Sequence, residues 1–164
     1  MAVPDRHAAR PGEVALPFDP GAEADATLAF IGRLRTPWSP DDAPRNLRAA
    51  RETGQGARVE IDAPYRPGLA GLAPGMAVVL LYWLGAGRRD LIVQAPRHRD
   101  GPAGVFALRS PVRPNPIGLA TVRVLTLDAA AGLLEVDALD AFDGTPLIDL
   151  KPWIPAVDGQ PPEG

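Results

Sequence analysis

Residues 105–124 read VFALRSPVRPNPIGLATVRV, and the rest of the chain is organised around them. The segment opens apolar with Val105 and Phe106, which we read as the end of a strand. It then breaks at Arg109-Ser110-Pro111-Val112-Arg113-Pro114-Asn115-Pro116 and resumes as a second strand from Ile117. Each of the three prolines fixes φ and removes an amide donor. Each also biases the residue before it toward extended geometry. The result is a stiff bracket from which two guanidiniums, a hydroxyl and a side-chain amide project. A rigid loop with converging polar groups suits a polar or anionic ligand. The competing reading is a proline-braced connection with solvated arginines.

Outward from this bracket the chain reads as many short strands. Residues 27–35 (TLAFIGRLR) alternate, and Gly32 inside them marks a bulge or a close backbone approach. Residues 57–61 (ARVEI) alternate as well. Residues 76–84 (MAVVLLYWL) are nearly continuously apolar, as in a strand buried on both faces, with Trp83 in the core. Residues 90–95 (DLIVQA) form another strand. Residues 119–127 (LATVRVLTL) and 133–138 (LLEVDA) form a hairpin around a turn at 128–132. Asp143-Gly144-Thr145-Pro146 is a turn: Asp accepts backbone hydrogen bonds, Gly tolerates positive φ and Pro stiffens the exit. Ile148 and Leu150 lie in a last strand. Residues 39–56 are irregular, with a short helical turn from Asn46 to Glu52, and 65–75 form a glycine-rich loop. The count is seven or eight strands without a long amphipathic helix. That predicts an all-β fold, a small closed β-barrel whose closure removes exposed edges. The expected organisation is a flexible leader over 1–26, a barrel domain over 27–156 and a tail over 157–164.

Composition narrows the chemistry. At 164 residues, 46% hydrophobic and 23% charged, the chain fits one globular domain. Net charge is −3, which argues against a generally basic nucleic-acid surface. Arginines do concentrate locally, at 45, 48, 51 and 58 and again at 97, 99, 109, 113 and 123. There is no cysteine, so disulfides, thiol catalysis and thiolate metal sites are excluded. With only His7 and His98, we expect no metal site, and His98 is a candidate base. No apolar signal region and no membrane-length stretch is present, so a cytoplasmic location is expected.

Three strings, in this order and at these separations, carry a family resemblance: IGRLRTPW at 31–38, RSPVRPNPIGL at 109–119 and DGTPLIDLKPW at 143–153. The chain resembles the TsaA-like, TrmO-type β-barrel methyltransferases. Characterised bacterial members of that family methylate N6 of threonylcarbamoyladenosine in tRNA with S-adenosylmethionine. The resemblance spans roughly 28–155. It implies a β-barrel fold, S-adenosylmethionine as cofactor, tRNA as a possible substrate, a homodimer with pockets near the subunit contact, and no membrane or metal.

The resemblance places the cofactor site at Arg45, Asn46, Leu47, Arg48, Leu84, Gly85, Arg109, Leu119 and Asp143-Gly144-Thr145-Pro146. In such a site a guanidinium pairs with the methionine carboxylate and an amide reads adenine. Arg109 pairs with the carboxylate or steers substrate. Asp143 bonds the methionine ammonium, accepts the acceptor's proton, or only caps its turn. Arg113 and Asn115 position substrate or brace the bracket. With Asp143 they are the candidate catalytic residues. Trp38 lids the barrel or walls the pocket. The chain departs from the family pattern twice: Met76-Ala77 stands where Ser-His is common, and Gly85 where many members carry His. Two other readings stay open. One keeps the cofactor and gives the methyl group to a small molecule. The other is a non-catalytic binding module, either a cofactor sensor or a nucleic-acid platform like an OB-fold.

Overall fold

The structure, a computed structural model, describes residues 9–22, 25–97 and 99–159. His7 and His98, the latter read as a candidate base, lie outside the described residues. Nine strands run in chain order: β1 (Val14–Ala15), β2 (Gly32–Arg35), β3 (Ala57–Ile61), β4 (Ala77–Trp83), β5 (Leu91–Gln94), β6 (Ala103–Gly104), β7 (Ile117–Asp128), β8 (Leu133–Val136) and β9 (Pro146–Pro152). Two short helices are α1 (Leu47–Glu52) and α2 (Pro155–Asp158). The chain divides into two compact units. Unit 1 is Met1–Thr27 with Leu84–Ile117, and unit 2 is Leu28–Trp83 with Gly118–Gly164. None of the described helices is long and apolar enough to cross a membrane.

Unit 2 holds the expected closed barrel, with strand order β2-β3-β8-β7-β4-β9 returning to β2. Strands β2, β3, β4 and β8 obey the two-residue period, as does β7 as far as Val124. In β4, Val78, Leu80 and Tyr82 point inward and are buried. Leu34, Val59, Val122, Val124, Leu134, Val136 and Leu147 fill the same interior. Each such side chain contributes about 1.5–3 kcal/mol by leaving water. Trp83 belongs to the other face of β4 and is half-buried, so the core tryptophan expected there is replaced by Tyr82. The alternation is also why β4 is fully buried on one face only.

Gly32 is a close approach. A Cβ built there would lie 1.9 Å from the carbonyl oxygen of Glu60, so β2 and β3 can meet only with glycine at this position.

Unit 1 contains a second, three-stranded sheet, β1-β5-β6. Part of the segment expected to be a loose leader therefore pairs with β5, Val14 opposite Val93. Glu13 secures it. Its nearly buried carboxylate accepts from Arg10 Nη2 at 2.6 Å and from the Ala95 amide at 3.3 Å. The Arg10 guanidinium and amide hold that carboxyl far below its usual range, at about 2.

Two local expectations are corrected. Val105 and Phe106 are not a strand end but part of a 3-10 turn, Val105–Ala107, closed by the Leu108 amide on the Val105 carbonyl. The local hydrogen bond wins over the β-propensity of Val and Phe. The glycine-rich loop also begins with a 3-10 helix, Ala63–Leu69, started by Pro64.

Candidate functional site

The densest polar construction among the predicted positions joins two of the three strings, IGRLRTPW and DGTPLIDLKPW. The Thr145 amide donates to the Phe142 carbonyl at 3.2 Å, closing a β-turn with Gly144 at φ +77°. Only a residue without Cβ takes that conformation cheaply. The turn is then knitted to residues 34–38. The Gly144 amide donates to the Leu34 carbonyl and the Asp143 amide to the Trp38 carbonyl, each at 2.9 Å. The Thr36 hydroxyl donates to the Ala141 carbonyl at 2.8 Å, and Trp38 Nε1 to the Leu139 carbonyl at 2.7 Å. Trp38 is half-buried and held by its indole N–H against the chain leading into the turn.

The turn's side chains divide by task. Thr145 is buried and spends its hydroxyl on the Phe142 carbonyl at 2.7 Å. Asp143 has a contact at each carboxylate oxygen. Its Oδ1 accepts the Thr36 amide at 3.2 Å, which ties the turn to the 34–38 segment and does not cap the turn itself, as one reading had it. Its Oδ2 lies 3.6 Å from Arg35 Nη1, and the side chain is 53% exposed, so the carboxylate still faces solvent. Arg35 is anchored by Nε on Glu60 at 2.8 Å, and that hydrogen bond raises its already high pKa.

The 45–48 segment enters α1. Asn46 is the N-cap, and its Oδ1 accepts the Ala49 amide at 2.8 Å. This leaves its Nδ2 donors unbonded among the described residues. Arg45 is exposed, and its guanidinium has no ion pair or hydrogen bond there either. Arg48 pairs with Glu52 at 3.1 Å on the helix surface. Leu47 is half-buried. Arg51 ties α1 to the barrel, with Nε on Asp137 at 2.9 Å and Nη2 on the Thr121 carbonyl at 2.7 Å. Thr121 lies on β7 two residues beyond Leu119, whose side chain is exposed on the outward face of that strand. Unit 2 therefore carries the 45–48 segment, Leu119 and residues 143–146.

Leu84, Gly85, Arg109, Arg113 and Asn115 belong to unit 1. There the bracket is braced from within. Arg113 Nη1 donates to the Leu108 carbonyl at 3.0 Å, and Asn115 Oδ1 accepts from Arg89 Nη2 at 3.3 Å. Arg89 Nε reaches the Pro114 carbonyl at 2.6 Å. The Gln94 amide nitrogen donates to the Val112 carbonyl, and Ser110 Oγ accepts the Val112 amide. Leu84 donates its amide to the Pro116 carbonyl at 2.8 Å, while Gly85 and Arg109 are exposed. Of the two candidates read as positioning substrate or bracing, Arg113 and Asn115 both have bracing contacts.

A shallow groove of about 340 Å³ opens beside the turn, lined by Arg35, Thr36, Pro37, Gly56, Arg58 and Glu135 among others. None of the candidate cofactor-binding or catalytic residues lines it; Arg35 connects the two, because it also approaches Asp143. Sequence reading gave no role to Arg35, Glu60 or Asp137 and counted Arg51 only among the clustered arginines. Arg35 stood inside a quoted string, but its partner depends on β2–β3 register, which no local pattern reveals.

Do these residues fit an S-adenosylmethionine? The ligand's amino-acid end is a zwitterion. Unit 2 offers a half-exposed carboxylate at Asp143 for an ammonium, an unpaired guanidinium at Arg45 for a carboxylate, and amide donors at Asn46 for a base edge. The donor set fits. Among the described residues no cluster of three or more His, Cys, Asp or Glu stands ready for a metal ion.

Comparison with known proteins agrees with the strings. The profile of the tRNA-methyltransferase O N-terminal domain matches residues 33–159. A probable S-adenosyl-L-methionine-binding protein, VirR of Rhizobium radiobacter, is 41% identical over 140 residues, covering 85% of this chain and 75% of the relative. A tRNA (adenine(37)-N6)-methyltransferase of Eikenella corrodens is 40% identical over 78 residues, covering 47% of this chain and 44% of the relative. The crystal structure of TrmO from Pseudomonas aeruginosa superposes with a TM-score of 0.63 at 29% identity, covering 82% of this chain and 58% of that one. The chain thus spans a little over half the length of the solved protein that it resembles. The chain belongs to the tRNA-methyltransferase O N-terminal domain family.

Proposed function

We propose that this chain binds S-adenosylmethionine and directs its methyl group to N6 of an adenosine in tRNA, acting as a cytoplasmic homodimer. The observation that carries the reading is the turn at 143–146, clamped to residues 34–38 with the Asp143 carboxylate left facing solvent. It supports the reading because a fixed, half-exposed carboxylate is what an ammonium group requires. Arg45 takes the ligand's carboxylate and Asn46 Nδ2 its adenine. Leu84, Gly85, Arg109 and Leu119 are carried over from the family resemblance as further cofactor positions; Gly85, Arg109 and Leu119 are exposed.

The cofactor, when bound, supplies an electrophilic methyl on a sulfonium. Methyl transfer needs no nucleophilic side chain, which suits a chain without cysteine. It needs the acceptor nitrogen held in line and one proton removed, and positioning of this kind lowers much of the barrier. Taking that proton is the alternative role for Asp143, exclusive of holding the ammonium. Arg113 and Asn115 serve by keeping the bracket rigid.

A second reading has an observation of its own. The match to the named methyltransferase covers 47% of this chain, whereas the match to the named S-adenosylmethionine-binding protein covers 85%. Cofactor binding is therefore better supported than the acceptor, and a small-molecule acceptor or a non-catalytic binding module remains the alternative. The test is titration of the purified chain with S-adenosylmethionine, followed by transfer of labelled methyl to tRNA bearing threonylcarbamoyladenosine. Saturable binding with transfer supports the enzyme. Binding without transfer to tRNA moves the alternative first, and no binding removes both.

A further inference from the structure

We propose that Arg35 is a positioning residue for Asp143, and that Glu60 sets how far Arg35 reaches. The inference rests on the reading of Asp143 as the partner of the cofactor's ammonium. It begins with register. β2 and β3 pair Arg33 with Glu60 and Arg35 with Arg58, and these four side chains share the outward face of the barrel. Arg35 therefore faces a like charge directly across the strand, which is unfavourable. It turns instead to the diagonal neighbour, placing Nε on Glu60 Oε2 at 2.8 Å.

That anchor decides what remains for Asp143. Nη1 stops 3.6 Å from Oδ2, close enough for an ion pair and too long for a hydrogen bond. The other oxygen, Oδ1, is held by the Thr36 amide. Consecutive residues thus contact the two carboxylate oxygens, Thr36 by a hydrogen bond and Arg35 by a longer ion-pair contact, while the side chain stays half-exposed.

An arginine free of Glu60 would close on Asp143 as a two-pronged pair and occupy the lone pairs that an ammonium needs. Glu60 prevents this. The chain Glu60–Arg35–Asp143 orients the carboxylate and leaves it only loosely paired, with no hydrogen bond from Arg35. Both partners of the Arg35–Asp143 pair are substantially exposed, so the arrangement acts on ligand binding more than on stability.

The test is a double-mutant cycle on the full chain, read by calorimetric titration with S-adenosylmethionine. Arg35→Ala and Glu60→Ala each weaken binding by about fivefold, the scale of one modest polar interaction. In the Arg35→Ala background, Glu60→Ala has no further effect, because Glu60 acts only through Arg35. Neither substitution changes the affinity for an S-adenosylhomocysteine analogue lacking the α-amino group. A purely structural role predicts the opposite: additive losses, equal for both ligands and tracking the melting temperature. Asp143→Asn separates the two levels of inference. If it leaves binding intact, the reading of Asp143 fails and takes this proposal with it. If it weakens binding while Arg35→Ala and Glu60→Ala do not, the proposal alone fails.

Discussion

The turn at 143–146 and the bracket at 109–116 look alike as sequence. Both are proline-stiffened, and both carry charged and hydroxyl side chains that suit a ligand. In the structure they are built in opposite ways. The turn is held mainly by main-chain hydrogen bonds to residues 34–38, and its one ionisable side chain keeps half of its surface in solvent. The bracket has lost three amides to proline, and side chains supply its bonds: Gln94, Arg89 and Arg113 donate to carbonyls at 112, 114 and 108. Proline makes a loop stiff but leaves its carbonyls without local donors. A loop braced by side chains has fewer of them to offer a ligand than one braced by its backbone.

The contrast is most exposed to refutation at Asp143. Asp143→Asn keeps an oxygen for the Thr36 amide but removes the charge. We expect S-adenosylmethionine affinity to fall about 30-fold, near 2 kcal/mol for a lost charge-assisted bond, with the melting temperature almost unchanged. Arg113→Ala should do the reverse. The loss of its bond to the Leu108 carbonyl costs about 1.5 kcal/mol of stability in a denaturant titration, while cofactor affinity changes less than about twofold. A large affinity loss without destabilisation would show that Arg113 faces ligand and would dissolve the contrast.

Asn46 sharpens the comparison because it serves both ends. Asn46→Ala should cost about 1 kcal/mol of stability through the lost cap, and Asn46→Asp should restore it. Any affinity loss that persists in the aspartate variant arises at the ligand, from the lost Nδ2 donors and the added charge, and not from the cap. A further effect is expected in unit 1 at low pH. The folded-state pKa of Glu13 is depressed to about 2 by its bonds to Arg10. Its stabilisation is therefore fully present above the ordinary carboxylate pKa near 4.5 and is lost as pH falls toward 2. Glu13→Gln should flatten that limb of an acid-unfolding curve, followed by hydrogen exchange at β1 and β5. An unchanged limb would mean that Glu13 does not hold the leader.

Much of the barrel was legible in the sequence because a half-buried strand must alternate. Residues 57–61 and 119–127 did so, and both lie in strands at those positions. Gly32 inside an alternating run correctly announced a close approach. What escaped was non-local. Val105 and Phe106 have the composition of a strand, and a hydrogen bond three residues away made them a helical turn. Trp83 was placed in the core because an apolar run does not say which parity faces inward. In the site, the strings located the turn at Asp143, but not that Arg35 would meet Asp143 on one side and Glu60 on the other. That pairing is set by cross-strand register between segments 25 residues apart for Arg35 and Glu60, and by the 107-residue span from Thr36 to Asp143.

The closure of the barrel has a consequence in time. β2 is hydrogen-bonded to β3 on one edge and to β9 on the other, with Gly32 opposite Leu147. During synthesis β2 and β3 emerge early and can pair at once, but the other edge of β2 has no native partner until β9 has been made. For that interval the nascent chain presents an open edge flanked by Leu28 and Phe30, both about half-exposed even in the finished structure. Long-range closure of this kind folds slowly and exposes the chain to association. Truncation before β9 should therefore yield aggregates rather than a smaller soluble domain. The same last-made strand begins at Pro146 of the Asp143 turn, so the candidate cofactor site is completed only when the barrel is sealed.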